Sequence, residues 1–404
     1  MIAIVNALVE PVTGPRIEGA SVLIDKGKIK AVGKRISIPA GARRIDAGGR
    51  LLTPGLIDAH SHAGLREDGL VADVDVNEQS ETVTPRVRAL DAFRPTDAVL
   101  LEAAQSGVTS IFVTPGSTNV MGGMGAFVKT VAPSFREQIV KEDAGLKMAT
   151  GENPKVYGGD RMPVSRMGVA AVMRDFFTRA GEYVGKKKAH AAKRGATKGP
   201  FEHDNNLEAV CGLLEGRYPA RCHAHRSVDM LMIMRMAEEF NFGVVFEHAT
   251  ECEEIMPEIV ARNIPVVIGP SLGSRSKTEV IYKSFGTVAA AVKAGLLVAI
   301  TADHGVTPLR YLNVYAALAI REGVPRDEAL KCITINPAKI CGVDERLGSI
   351  EPGKDADLVL WESDPFDVCS RPAIVWIEGR EVDLSVRHYR RFSPFSTDVT
   401  SGGK

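Results

Sequence analysis

The sequence predicts an α/β chain, a (β/α)8 TIM barrel with a small β-sandwich domain formed by both chain termini. Three observations carry that expectation. Between Leu51 and Cys341, apolar strand-like runs alternate with helical segments, the rhythm of a closed barrel or of an open doubly wound sheet. Histidines and other polar residues collect at the C-terminal ends of those strands, where a barrel gathers its chemistry. No Gly-x-Gly-x-x-Gly follows the first strand, which counts against the dinucleotide-binding sheet. Residues 53–344 are therefore expected to form the barrel, and 1–52 with 345–404 the satellite.

The elements follow in order. Up to about residue 50 the chain reads as short strands and tight turns, with Gly27 turning between Ala20-Ser21-Val22-Leu23-Ile24-Asp25 and Ile29-Lys30-Ala31-Val32. The first barrel strand runs into His60-Ser61-His62, and a polar loop follows to about Phe93. A helix is expected from Pro95-Thr96-Asp97 to Ser106 with Gly107 as its stop, then a strand, Val108 to Val113. The glycines of 115–125 read as a loop that lets backbone approach a ligand, with a short third strand beginning at Gly125. Ser134-Phe135-Arg136-Glu137 is a capping box, and Leu146 to Thr150 a strand. Later strands end at His223, His248, Gly269 and Asp303. Met230, Leu231, Ile233, Met234 and Met236 form a core stripe on one helix, and Thr307 with Pro308 opens another. After Cys341 the β rhythm returns.

Bulk properties narrow the function. Lys plus Arg and Asp plus Glu balance at 50 each in 404 residues, so no overall field points to nucleic acid or an anionic membrane. No apolar run approaches the ~20 residues of a membrane span. The N-terminus lacks a signal peptide's sections, and six scattered cysteines without a Cys-x-x-Cys pair suit buried thiols in the cytoplasm. The basic stretch 186–198 reads as a solvated surface insertion, in preference to a cover that attracts an anionic substrate.

Histidines at i and i+2 of a strand share a face with Cα atoms roughly 7 Å apart, so His60 and His62 can converge on one cation. Six of the nine histidines lie at or beside strand ends: His60, His62, His223, His225, His248 and His304. Independent histidines would not select the same end of four strands. Neutral imidazoles with the Asp303 carboxylate suit Zn²⁺, with Fe²⁺, Mn²⁺ or Co²⁺ as other occupants.

Thr53-Pro54-Gly55-Leu56-Ile57-Asp58-Ala59-His60-Ser61-His62, His223, His248, Asp303 and the closing Pro352-Gly353-Lys354-Asp355-Ala356-Asp357-Leu358 resemble the amidohydrolase superfamily, in its imidazolonepropionase-related part. The resemblance implies a metal-dependent hydrolase of a small-molecule substrate, commonly a homo-oligomer, with one or two ions. His60, His62 and Asp303 would hold one metal, and His223 and His248 a second or the same one. A bridging anion would come from Glu152 or a carbamylated Lys147; Glu152 is preferred because it lies nearer the C-terminal mouth. His225 would touch substrate or replace His223, and His304 would donate to a substrate oxygen or orient Asp303. Asp303 would act as proton shuttle for metal-activated water.

The expected reaction is cleavage of a C–N bond in a cyclic amide or N-acyl group, or an amidine-type deamination. An Xaa-Pro-type dipeptidase and a non-catalytic barrel scaffold are the alternatives. In imidazolonepropionase the fifth-strand histidine precedes an acidic pair; here it precedes Ala224-His225-Arg226, which implies another substrate.

Overall fold

A computed structural model describes residues 1–66, 74–156, 163–192 and 200–385. Part of the 63–93 loop, the 193–198 end of the basic stretch and the 386–404 part of the expected satellite lie outside the described residues.

The chain opens with β1 (Ile2–Val9), β2 (Ile17–Asp25), β3 (Lys28–Gly33), β4 (Arg43–Asp46) and β5 (Leu51–Pro54). β1 is central. It pairs antiparallel with β2 and parallel with both β4 and β5.

The barrel follows as β6 (Leu56–Ser61), β7 (Val108–Val113), β8 (Met121–Lys129), β9 (Ile139–Ala149), β10 (Ala220–Ala224), β11 (Val244–His248), β12 (Val266–Ile268) and β13 (Val298–Ile300). Each strand neighbours the next. The end of β13 meets that of β6 through Thr301 Oγ1 donating to the His60 carbonyl at 2.7 Å and Ala302 N–H donating to Asp58 at 3.0 Å. The result is an α/β barrel of mixed strands.

Two expectations are corrected here. The third strand begins at Met121 rather than Gly125, and it runs antiparallel to both neighbours. Only seven residues separate β7 from β8, too few for the crossover helix that a parallel return requires. The glycines of this run therefore serve packing within the fold rather than a ligand loop. A Cβ on Gly125 would lie 2.5 Å from the Phe112 ring, and one on Gly123 2.4 Å from Val87.

Local chemistry sets the element ends. Asp97 caps the helix Ala98–Gln105 by accepting from Val99 N–H at 3.0 Å, and Gly107 turns the chain out at φ +90°. Ser134 Oγ accepts from Glu137 N–H, although that helix is one turn long before β9 begins. Met230, Ile233, Met234 and Met236 are buried as expected, whereas Leu231 of the same expected stripe is exposed, one position off the buried face. Thr307 caps no helix. Its hydroxyl donates to the Ala302 carbonyl, and a 3₁₀ turn starts only at Leu309.

The chain end adds β14 (Leu358–Trp361), β15 (Pro372–Ile377) and β16 (Arg380–Glu381). β14 pairs antiparallel with β5, so both ends of the chain share one mixed sheet. Ile4, Val22, Leu52, Leu358 and Trp376 pack its own core. A buried ion triad ties this sheet's approach segment to the barrel: Lys129 Nζ on β8 donates to Asp357 at 2.6 Å and Asp355 at 3.1 Å.

Candidate metal centre

Strand alternation explains which side chains enter the barrel. On β10, Ala220, Cys222 and Ala224 pack in the layer between strands and helices, which turns Arg221 and His223 to the interior. On β9, Leu146 and Met148 belong to the same outer layer, so Lys147 also faces inward. Two ligand candidates break the alternation. Ile57 and Ala59 occupy the interior core, and a register shift between Asp58 and Ser61 of β6 lets His60 turn inward as well. Val245 is interior on β11, and His248 reaches the mouth through a left-handed backbone at φ +73°.

The floor of the site is a buried charged relay. Arg221 stacks over the Phe112 ring at 3.9 Å and donates to the Ala59 carbonyl at 2.5 Å. Its Nε donates to Glu247, whose other oxygen accepts from His60 Nδ1 at 2.9 Å. Donation from Nδ1 fixes the His60 tautomer and leaves the Nε2 lone pair facing the mouth. The same logic holds for His62, whose Nδ1 donates to the Thr114 carbonyl at 2.7 Å, and for His248, whose Nδ1 donates to the Gly269 carbonyl at 2.7 Å.

Two groups of donor atoms result. His60, His62 and Asp303 form the first, with Asp303 Oδ1 3.5 Å from His60 Nε2 and 3.4 Å from His62 Nε2. His223, His225 and His248 form the second, their ring centroids 4.5–4.8 Å apart. Burial and neighbouring cations keep the imidazoles neutral: His62 is pushed down to about 3, and His60, His223, His225 and His248 well below 6.5. Burial pushes the Asp303 carboxyl up to about 7.

Several buried polar atoms here find no hydrogen-bond partner among the described residues: His60 Nε2, both His223 ring nitrogens, Asp303 Oδ1 and Lys147 Nζ. Orphaned buried atoms are costly, and a divalent cation satisfies imidazole nitrogens and a carboxylate together. The residues fit a metal on that ground. Burial also pulls the Lys147 amine down to about 8, and its charge depresses His60, His62, His223 and His248, members of both groups.

Other expected residues fall elsewhere. Glu152 belongs to neither donor group, contrary to its expected role as bridging ligand. The chain turns at Gly151 (φ +75°), and Glu152 contributes its backbone N–H, donated to Glu279 Oε2 at 2.8 Å. His304 is buried but does not line the mouth; its carbonyl accepts from His62 N–H at 2.6 Å. His225 joins the second group rather than replacing His223. Three functional positions escaped the sequence analysis. Arg221 and Glu247 each interrupt an apolar strand, a signal that was present, whereas Glu279 lies in a polar loop and carried none.

A cavity of about 230 Å³ opens above both groups, walled by His62, His223, His225, His248, Asp303 and Lys277. A mixed α/β barrel with such a donor cluster at its C-terminal mouth defines a metal-dependent hydrolase. Sequence comparison agrees. The Amidohydrolase family profile matches residues 223–382. An amidohydrolase from Thermotoga maritima MSB8 is 44% identical with a TM-score of 0.91, over 95% of this chain and all of that one. Amidohydrolase tasK of Hapsidospora irregularis is 32% identical over 93% of this chain, which spans 42% of that relative's length. An imidazolonepropionase of Cereibacter sphaeroides is 25% identical over 86% of this chain and 89% of its own. The chain belongs to the amidohydrolase superfamily, is related to the imidazolonepropionases, and is a hydrolase of C–N bonds. Among the described residues, no helix is long and apolar enough to cross a membrane.

Proposed function

We propose that this chain hydrolyses a cyclic amide, an N-acyl group or an amidine-type bond of a small molecule, using zinc at two positions. The observation that carries the proposal is the pair of donor groups on one rim, each with atoms that nothing among the described residues satisfies. His60, His62 and Asp303 hold the first ion, and His223 and His248 contribute to the second.

Lys147 replaces Glu152 as the bridging residue in this proposal. Its buried Nζ has no hydrogen-bond partner among the described residues and faces the interior. The free amine adds to carbon dioxide, forming an N–C bond and releasing one proton, which converts a buried base into the anion that two cations require.

A bound divalent ion supplies Lewis acidity, which eases deprotonation of water and polarises a carbonyl. The residues do the rest. Asp303 accepts the proton of the attacking water and returns it to the leaving nitrogen. Glu247 and Thr114 hold His60 and His62 in one tautomer each. The cavity walls orient the substrate.

In the same proposal the chain is a cytoplasmic homo-oligomer, with residues 53–344 as the catalytic unit and 1–52 plus 345–404 as a sandwich satellite. Its six cysteines are free and five are buried, which suits a reducing compartment. Elemental analysis of the purified protein, with an activity screen over cyclic amides, N-acyl sugars and dipeptides, tests the function. The expected result is two zinc ions per chain and turnover that His60→Ala and Asp303→Ala abolish without unfolding. Full activity in either variant overturns the proposal.

A further inference from the structure

We infer that Glu279 and His225 join the second cation's ligands, giving it His223, His225, His248 and Glu279 beside the bridging Lys147 carbamate proposed above. The inference rests on the two-ion proposal above and extends it beyond the two histidines that the superfamily resemblance implied. Glu279 sits in the 3₁₀ turn Thr278–Val280 between β12 and β13, and it is 1% exposed. Its Oε1 lies 3.5 Å from His223 Nε2 and 3.9 Å from His225 Nε2. Donor atoms at tetrahedral angles about one zinc stand roughly 3.3–3.6 Å apart, given metal–ligand bonds near 2.0–2.2 Å; the His223 distance meets that spacing and the His225 distance exceeds it.

The carboxylate is seated for this position. Oε2 accepts the Glu152 N–H at 2.8 Å, which leaves Oε1 to face the imidazoles. Gly151 makes the seat, since a Cβ there would stand 2.2 Å from Oε2. On the other side, Thr250 Oγ1 lies 2.8 Å from His225 Nδ1 and orients that ring. Oε1 is paired with the Lys277 ammonium at 2.5 Å, which itself donates to Asn153 Oδ1 at 2.6 Å. Glu279 borders two members of the three-imidazole group from just outside it, with Lys277 as its resident monovalent counter-charge. A metal arriving there competes with Lys277 for Glu279.

The competing explanation makes Glu279 only the ion-pair partner of Lys277. Metal content of the holoenzyme after dialysis against graded chelator separates the two, with thermal melts as a folding control. The chain as isolated, Glu279→Gln, His225→Gln and Lys277→Met are compared, and visible spectra of Co²⁺-substituted protein report the ligand field. We expect Glu279→Gln and His225→Gln to keep one ion and to bind the second about tenfold or more weakly, with altered Co²⁺ bands. Lys277→Met retains both ions. Unchanged second-ion affinity and spectrum in Glu279→Gln would overturn the ligand role, and so would loss of the second ion in Lys277→Met. If His60→Ala leaves metal content untouched, the two-ion proposal itself fails, an outcome distinct from the others.

Discussion

The His60 imidazole and the Glu247 carboxylate meet at 2.9 Å, both fully buried, and Glu247 is at the same time the counter-ion of Arg221. One carboxylate therefore fixes a metal-facing tautomer and neutralises the guanidinium that fills the barrel floor. Replacing Glu247 by Gln retains an acceptor for one partner but strips the anion from Arg221. Breaking a buried pair on one side costs about 3–5 kcal/mol, and loss of an orienting partner lowers metal affinity about 10–100-fold. Urea unfolding and chelator competition on Glu247→Gln are expected to show both effects.

Lys147 and Glu152 make opposite predictions. Lys147→Ala should lose second-ion binding and nearly all turnover, and apoprotein reloaded with zinc in carbonate-free buffer should stay inactive until bicarbonate is added. Glu152→Gln should stay within about threefold of the parent, because Glu152 serves through its backbone N–H, which the substitution leaves in place. Turnover assays of the two variants decide the matter.

Asp355 offers a pH test outside the metal centre. Burial pushes its carboxyl up, but Lys129, Lys28 and Arg346 outweigh burial and hold it below its ordinary 3.8. A depressed carboxyl contributes stability that is full above the unfolded value and vanishes as pH falls through the folded one. Asp355→Asn should therefore unfold at lower denaturant than the parent at pH 7, and the gap should close only below about pH 3.8. Equilibrium unfolding across that range checks the sign.

Gly123 tests the reversed third strand. Its φ is +123° and an added methyl would meet Val87 at 2.4 Å, so Gly123→Ala should cost about 1–3 kcal/mol and lower the melting midpoint.

The strand-end histidines and Asp303 were readable because each stands at the close of an apolar run, and a barrel brings all such ends to one rim. The direction of β8 was not, since a glycine-rich segment has no alternation from which to infer its partners. Lys147 and Glu152 differ by five positions, and proximity to the strand end favoured the glutamate. The proposal of Lys147 rests on the face of β9, set by Leu146 and Met148 packing outward. Glu279 reaches the site across the mouth from a loop whose sequence, Ser274-Arg275-Ser276-Lys277-Thr278, resembles any solvated connection.

The pairing of β5 with β14 joins segments roughly three hundred residues apart in the chain. During synthesis the barrel emerges from the ribosome first, while β5 waits with an unfilled row of amide and carbonyl groups along one side. A chain halted before Leu358 would expose that row to any other nascent strand, so premature termination near the C-terminus should yield aggregates, even though every metal-facing residue has already been made.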